Sequence, residues 1–336
     1  MAVSIKDIAR LAGVSHSTVS RALNRSPLIP AATAERIQRI AAEKGYTASA
    51  VARSLVTRKT KAIGVVVTSI ADPFNGEVVA GIEELANHEG YSVVLATSQA
   101  DPQREMAVVR SFRERRVDGI LVASSRLGAQ YQPLSAELEA PIVLLNNQHP
   151  SELAHSVSID NQDGGYQATA HLTALGHRDI AYIGDQSGLQ SDEERFRGFQ
   201  AALKKARVKL RPEFVVRGDG KLAGGKQRAA DLLQLPSPPT AIFCYNDMTA
   251  LGVIEAVHAR GWQVGRELSV VGFDDLFFAA SLQPSLTTLH QPKKELGKQA
   301  MQLLLAILRG QPAERTVVLR GQLIVRDSSG KPYQSI

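Results

Sequence analysis

Cysteine is nearly absent. Cys244 is the single one in 336 residues, which excludes an intrachain disulfide and a Cys-rich zinc site. Aromatic residues are scarce at 5%, with Trp262 the lone tryptophan. No apolar run approaches the roughly 18 residues of a membrane helix, so no span and no membrane partner are expected. The opening Met1-Ala2-Val3-Ser4-Ile5-Lys6-Asp7 lacks the apolar core of a signal peptide, and a cytoplasmic protein is the expectation. Enzyme signatures are missing too. There is no P-loop and no Gly-x-Ser-x-Gly elbow, and the eight histidines show no metal spacing. Gly218-Asp219-Gly220 only weakly imitates a dinucleotide fingerprint, with no acid about 20 residues on at a strand end. No catalytic residue, cofactor or metal is therefore expected.

What is present is ordinary in bulk and uneven in distribution. Hydrophobic residues make up 44% and charged residues 21%, values of a globular chain. The length suggests about two domains at roughly 150 residues each. Net charge is +6, but residues 1–60 hold ten Lys or Arg against three acids, a net of +7. The remaining 276 residues carry 29 basic and 30 acidic side chains, a net of −1. A small basic module on a neutral body points to a polyanion partner, most simply nucleic acid.

The basic module reads as three helices. Ser4-Ile5-Lys6-Asp7 is a capping box, and Ile5, Ile8 and Leu11 with Ala9 and Ala12 give one apolar face. Gly13 ends that helix in a tight turn. Ser15 can cap a second helix to about Leu23, with Val19, Ala22 and Leu23 inward. A third runs from about Ala31 to Lys44. Two short helices across a Gly turn, propped by a third, make a helix-turn-helix. The second helix turns His16, Ser17, Thr18, Ser20 and Arg21 outward. Such short polar or cationic side chains suit the major groove, and Arg21 can reach a guanine edge. Ser15, Thr18 and Asn24 are placed for phosphates, which fix register.

Ile5-Lys6-Asp7-Ile8-Ala9-Arg10-Leu11-Ala12-Gly13-Val14-Ser15 followed by Thr18-Val19-Ser20-Arg21-Ala22-Leu23-Asn24 resembles the N-terminal signature of the LacI/GalR family of bacterial transcription repressors. Gly45-Tyr46 and Ala52-Arg53-Ser54-Leu55 resemble that family's hinge. The resemblance implies that Leu55 is a wedge entering the minor groove and kinking the duplex. The chain departs from the family at Ala48-Ser49, where Pro-Asn is usual, and at Pro30 and Ala34, where a Ser cap and an Arg are frequent. His16 and Ser17 are this chain's own, so its operator sequence cannot be carried over.

From Ala62 the pattern alternates. Apolar, β-branched runs at Ile63–Val67, Tyr91–Leu95, Gly119–Val122, Ile142–Leu145, Ile180–Ile183, Phe214–Val216, Ala241–Cys244 and Leu268–Val271 read as strands. Helical segments between them include Gly76–His88, Arg104–Arg115, Gly164–Leu175, Ser191–Lys205, Gly224–Leu233 and Thr249–Ala259. Such alternation implies parallel sheets, here as two Rossmann-like lobes. This matches the family's effector core, which is similar to periplasmic sugar-binding proteins. The expected fold class is thus a small all-α headpiece plus an α/β core of two lobes. The expected division is residues 1–47 for the headpiece, 48–61 for the hinge and 62–336 for the core. Within the core, an N-lobe of about 62–160 and 291–323 faces a C-lobe of about 161–290 and 324–336.

Ligands of such sheets bind at the carboxyl ends of strands. Asp72-Pro73-Phe74-Asn75 follows the first strand, where Phe74 can stack on a sugar ring or flat base and Asn75 can orient it. Asn147 follows Ile142–Leu145 and offers an amide to hydroxyls. The resemblance implies an effector role for Arg195, Asn246, Asp274 and Gln291. Asp247 reads as a helix N-cap and Asp275 as a turn residue. Asp219 stands where the family often has an aromatic, which suggests a more hydroxylated or amine-bearing ligand. Cys244 and Trp262 read as packing residues. The resemblance implies a repressor of transcription that binds a pseudo-palindromic operator in double-stranded DNA as a homodimer. Its effector is a small molecule, by the family's usage a sugar or derivative, with a purine or sugar phosphate still open. The alternative is a solute-binding protein or enzyme on the same fold without specific DNA recognition.

Overall fold

The computed structural model describes residues 3–23, 26–46, 59–125, 127, 140–146 and 155–333. The chain divides into two compact units, Met1–Lys61 and Ala62–Ile336. Of the expected hinge, residues 48–58 lie outside the described residues, and with them Leu55.

The first unit contains α1 (Ile5–Ala12), α2 (His16–Leu23) and α3 (Ala31–Glu43). Ser4 accepts from the Asp7 backbone N–H while the Asp7 carboxylate accepts from the Ser4 backbone, closing both halves of the capping box. Gly13 ends α1 at φ 64°, the left-handed region that costs glycine least. Ile8, Val19, Ala22, Ile37 and Ala41 from all three helices form one buried cluster. Two cross-helix bonds fix the angle between α3 and the pair: Arg36 Nη2 to the Ala12 carbonyl at 3.0 Å and Gln38 Nε2 to the Ala22 carbonyl at 3.4 Å. Pro30 begins α3 without a side-chain cap.

The second unit holds two six-stranded sheets. Its strands are β1 (Ala62–Val67), β2 (Ser92–Thr97), β3 (Gly119–Ala123), β4 (Ile142–Leu145), β5 (His155–Ile159), β6 (Ile180–Asp185), β7 (Val215–Gly218), β8 (Ala241–Cys244), β9 (Ser269–Asp274), β10 (Thr287–His290), β11 (Thr316–Leu319) and β12 (Gln322–Ile324). The first sheet runs β11-β5-β4-β3-β1-β2 and the second β12-β10-β9-β8-β6-β7. Every named pairing is parallel except β10 with β12. Central strands such as β3, β4 and β8 are buried throughout, which is why they read as continuous apolar runs. The helices are α4 (Pro73–His88), α5 (Pro102–Glu114), α6 (Asn161–Ala174), α7 (Gln190–Lys205), α8 (Leu222–Leu233), α9 (Asp247–Ala259) and α10 (Lys293–Leu308).

The chain passes between the lobes three times. The first passage lies between β5 and α6, the second between β10 and α10. The third falls at Arg320–Gly321, earlier than the expected position near 324. Gln322 and Leu323 already pair with His290 and Leu289 in the second sheet. A Cβ on Gly321 would press on the Leu289 side chain and the His290 carbonyl, so a glycine there lets the returning strand come close. Two strand ends also differ from expectation. Pro212–Phe214 is a 3-10 turn, with Phe214 buried in the core, and β7 begins after it. β9 runs on to Asp274.

Three helix pairs cross at reciprocal glycines. On α6 and α7, a Cβ at Gly165 would overlap the Arg195 carbonyl, and one at Gly198 the Gln162 carbonyl. On α8 and α9, Gly225 and Gly252 stand in the same relation to Thr249 and Leu222. On α4 and α10, Gly81 and Gly297 meet Lys294 and Val78. The opposing atoms are backbone carbonyls that cannot rotate aside. Gly165→Ala is therefore expected to destabilise the protein by about 1–3 kcal/mol through overpacking. Denaturant unfolding would check this; an unchanged midpoint would show that the crossing yields.

Candidate functional site

The helix expected to read DNA is built as its sequence dictates. Ser15 caps α2, its Oγ accepting from the Thr18 backbone N–H at 3.2 Å and sharing protons with Ser17 Oγ and Thr18 Oγ1 at 2.8 Å each. These hydroxyls form a cluster at the helix N-terminus, where the backbone N–H groups favour an anion. Val19 and Ala22 face inward. His16, Ser17 and Arg21 are exposed, while Thr18 and Ser20 are half-buried. Asn24 lies outside the described residues.

In the second unit the site grows from the carboxyl ends of β1, β8 and β9. Arg195 on α7 is only 5% exposed. Its Nε donates to Asn161 Oδ1 at 3.1 Å and its Nη1 to the Tyr245 carbonyl at 2.6 Å. The guanidinium lies 3.7 Å from the Phe273 ring centroid and 4.6 Å from that of Tyr245. Phe273 is followed by Asp274, whose Oδ1 accepts from Gln291 Nε2 at 2.6 Å. Arg195, Asp274 and Gln291, distant in sequence, are thereby brought together. Burial pushes the Asp274 carboxyl well above its usual range, with Arg195 pulling the other way.

The opposite wall comes from the loop after β1. Asp72 caps α4 and accepts from the Phe74 backbone N–H at 3.0 Å. Phe74 is half-buried against the first lobe's core. Asn75 is buried, its Nδ2 donating to Thr68 Oγ1 and the Ser69 carbonyl at 3.0 Å each. Asn75 thus braces the loop with the amide expected to orient a ligand. The two lobes meet through buried Lys293, whose Nζ donates to the Asp274 and Asp275 carbonyls at 2.6 and 2.8 Å. The same ammonium lies 3.5 Å from Glu77 Oε1, one turn after Phe74 on α4. Asn147 lies outside the described residues.

The cap of α9 falls one residue earlier than expected. Asn246, expected at the ligand, caps α9: its Oδ1 accepts from the Thr249 backbone N–H at 2.8 Å and its Nδ2 donates to the Gly220 carbonyl at 2.9 Å. Asp247, expected as that cap, is fully buried one residue on. It accepts from the Leu276 backbone N–H at 2.8 Å and from Thr288 Oγ1 at 2.6 Å. The strand ends at Cys244 and the helix begins at Asp247, so the cap falls at 246 rather than 247. Burial raises the Asp247 carboxyl to about 7, its hydrogen bonds opposing the shift. The folded chain therefore binds a proton there more tightly than the unfolded chain does. Stability from this group is full below the unfolded value and falls as pH rises towards 7, by up to about 1.4 kcal/mol per pH unit. Asp247→Asn is expected to flatten that part of the curve. Urea midpoints of both proteins at pH 5 and pH 8 would check it; identical pH dependence would contradict it.

The family description "Bacterial regulatory proteins, lacI family" matches residues 4–49, and "Periplasmic binding protein-like domain" matches residues 169–329. The chain is 35% identical to the HTH-type transcriptional repressor PurR of Aliivibrio fischeri (strain MJ11), over 97% of this chain and 98% of that one. It is 36% identical to the ribose operon repressor of Haemophilus influenzae, with the same coverage. The chain belongs to the lacI family. The lac repressor dimer, solved bound to operator and the anti-inducer ONPF, superposes with a TM-score of 0.89 at 29% identity, over 98% of this chain and 100% of that one. As a lacI-family regulator, the chain joins a DNA-binding helix-turn-helix to a core that takes a small-molecule effector.

Sequence reasoning missed Tyr245, Asn161, Gln190 and Lys293 in this lacI-family core. Tyr245 follows β8 directly, the kind of position where ligand residues collect. Its hydroxyl is 3.1 Å from Ser191 Oγ, and burial pushes it up to about 12. A Cβ on Gly220 would stand 3.7 Å from the Tyr245 ring. Asp219 itself is exposed, its carboxylate accepting from the Lys221 backbone N–H at 3.0 Å. Trp262 is half-buried against the second lobe's core under Arg260, and Cys244 is buried among apolar neighbours. Among the described residues no helix is long and apolar enough to cross a membrane, and no group of three His, Cys, Asp or Glu could hold a metal.

Proposed function

We infer that this protein is a cytoplasmic transcriptional repressor, without enzymatic activity, that binds a pseudo-palindromic operator as a homodimer. Its affinity is set by a sugar-class effector held between Phe74, Tyr245, Arg195, Asp274 and Gln291. The observation that carries the reading is the union in one chain of a basic helix-turn-helix module and a site where Arg195, Asp274 and Gln291 converge. A LacI family transcriptional regulator from Enterococcus faecium, solved with bound ribose, supports the sugar class, and the lac repressor dimer on operator supports the assembly. Effector and DNA bias one equilibrium between lobe arrangements, so each changes the other's affinity by the same factor.

Selection of the full-length protein against randomised duplex DNA tests this. An enriched inverted repeat is expected, with half-site centres about one helical turn apart. Binding without sequence preference, lost at moderate salt, would leave a solute-binding fold with a basic arm. On the selected site, Arg21→Ala is expected to cost about 1–3 kcal/mol and to relax preference at one base pair per half-site. A uniform loss across sequences would instead make Arg21 a phosphate contact.

A further inference from the structure

We propose that the core itself touches DNA: Arg110, Arg113 and Arg115, at the C-terminal end of α5, hold phosphates of the duplex that the headpiece reads. This rests on the DNA-binding reading given above and adds a second contact surface to it.

Residues 110–116 read Arg-Ser-Phe-Arg-Glu-Arg-Arg, four cations against one acid, in a chain that beyond residue 60 carries a net of −1. Arg110 and Arg113 lie one turn apart on α5, and Arg115 is its C-cap. All three are exposed, and none of them forms an ion pair among the described residues. Exposed cations elsewhere in the core are often paired, as Arg197 is with Glu194, Lys226 with Glu255 and Arg309 with Glu89. The other face of the helix is fixed. Val109 and Phe112 are buried, and a Cβ on Gly64 of β1 would overlap the Phe112 ring. Thus α5 packs directly on β1 and carries its arginines outward.

Their place in the fold supplies the partner. β1 begins at Ala62, the first residue of the second unit, where the chain arrives from the headpiece and the expected hinge. After α5 the backbone turns at Arg116, φ 52°, and the Asp118 backbone N–H donates to the Ala62 carbonyl at 2.8 Å. β3 then starts at Gly119, in register with Ile63. The arginine end of α5 therefore shares the sheet edge at which the tether to the headpiece is attached. Lys204, Arg207 and Lys209, a second exposed basic stretch between α7 and β7, belong to the other lobe and lack that tether. Cations beside the tether meet phosphate at high effective concentration once the headpiece is bound. Without the headpiece, three cations on a body of net −1 hold DNA too weakly to register. Arginine suits the contact because its guanidinium stays charged and can meet two phosphate oxygens at once. Cations at a helix C-terminus also favour its dipole, but that role affects stability and not the salt dependence of DNA binding.

Titration of the full-length protein on its selected duplex, from about 50 to 200 mM salt, tests this. Replacing Arg110, Arg113 and Arg115 together with Ala is expected to reduce the slope of log affinity against log salt by at least about 1.8, one phosphate in each protomer at about 0.9 apiece. Affinity at the low-salt end should fall about tenfold or more. Preference among site variants should not change, since phosphate contacts carry no sequence information. Lys at all three positions should keep the wild-type slope. So should Ala at Lys204, Arg207 and Lys209, which removes the same charge from the other lobe. An unchanged slope in the α5 Ala variant would overturn the proposal, whether or not its urea midpoint falls. An equal fall in both Ala variants would overturn it as well, leaving only a long-range field. A Lys variant that behaves like the α5 Ala variant would do the same, since charge would then not be what matters. Failure of the wild-type protein to select any sequence would count against the regulator reading, and the same slopes on unselected duplex would still decide the contact.

Discussion

Removal of residues 1–61 is expected to lower affinity for the selected DNA by at least about 1000-fold, the usual span between specific and non-specific binding, while leaving effector affinity unchanged. The two halves of that expectation have separate physical grounds. Specific affinity depends on α2, whose inward residues Val19 and Ala22 pack only within the first unit's own cluster. Non-specific affinity depends on charge, and the chain beyond residue 60 carries a net of −1. The truncated protein therefore loses the counterion-release contribution together with base contacts, so its residual binding should show almost no salt dependence. The core keeps both sheets and all residues around Arg195, none of which comes from the first unit. Electrophoretic mobility shifts across salt, with calorimetry using the effector, would measure both halves. Retained operator affinity in the fragment would end this division of labour. Lost effector affinity would mean that the headpiece supports the cleft.

The sequence carried different parts of this structure with different clarity. Headpiece elements were legible because each boundary has a local chemical cause: Ser4 with Asp7, Gly13, and Ser15 before α2. Arg195, Asp274 and Gln291 were reachable through the family resemblance, since motif position marks them although their spatial meeting is invisible in the chain. The cap of α9 fell on Asn246 instead of Asp247 because both are good caps, and only the residue at which β8 stops decides between them. Strand His155–Ile159 went unread because its alternating polar residues lack the apolar run of the central strands. It pairs with β4 and β11 and leaves side chains half-exposed. Tyr245 and Lys293 were missed for a deeper reason. A tyrosine beside a strand and a lysine opening a helix are ordinary locally, and their burial follows from how two lobes close around them.

Lys293 supports the second large expectation. Lys293→Met is expected to lower stability by about 3–5 kcal/mol, the cost of removing one partner from a buried charged contact. Lys294→Met, one residue on and exposed, should stay within about 0.5 kcal/mol. Position within the lobe crossing explains the contrast. Lys293 follows the passage from β10 into α10, and its ammonium meets carbonyls of Asp274 and Asp275 from the second lobe and Glu77 from the first. Asp274 and Asp275 both have positive φ, 124° and 55°, a backbone that side chains other than glycine rarely adopt. Without the ammonium, the Asp274 carbonyl keeps only the Gln291 backbone N–H at 3.4 Å and the Asp275 carbonyl loses the lysine's bond, at the point where that backbone is held. Met replaces the stem but not the three donors, so packing stays while the electrostatic tie goes. Because the tie joins the two lobes beside the effector residues, its loss should also shrink the change in operator affinity that effector produces. Equilibrium unfolding and operator titrations with and without effector would read the two consequences separately. Unchanged coupling in a destabilised variant would confine Lys293 to holding the fold. Unchanged stability would show that water replaces the ammonium at little cost.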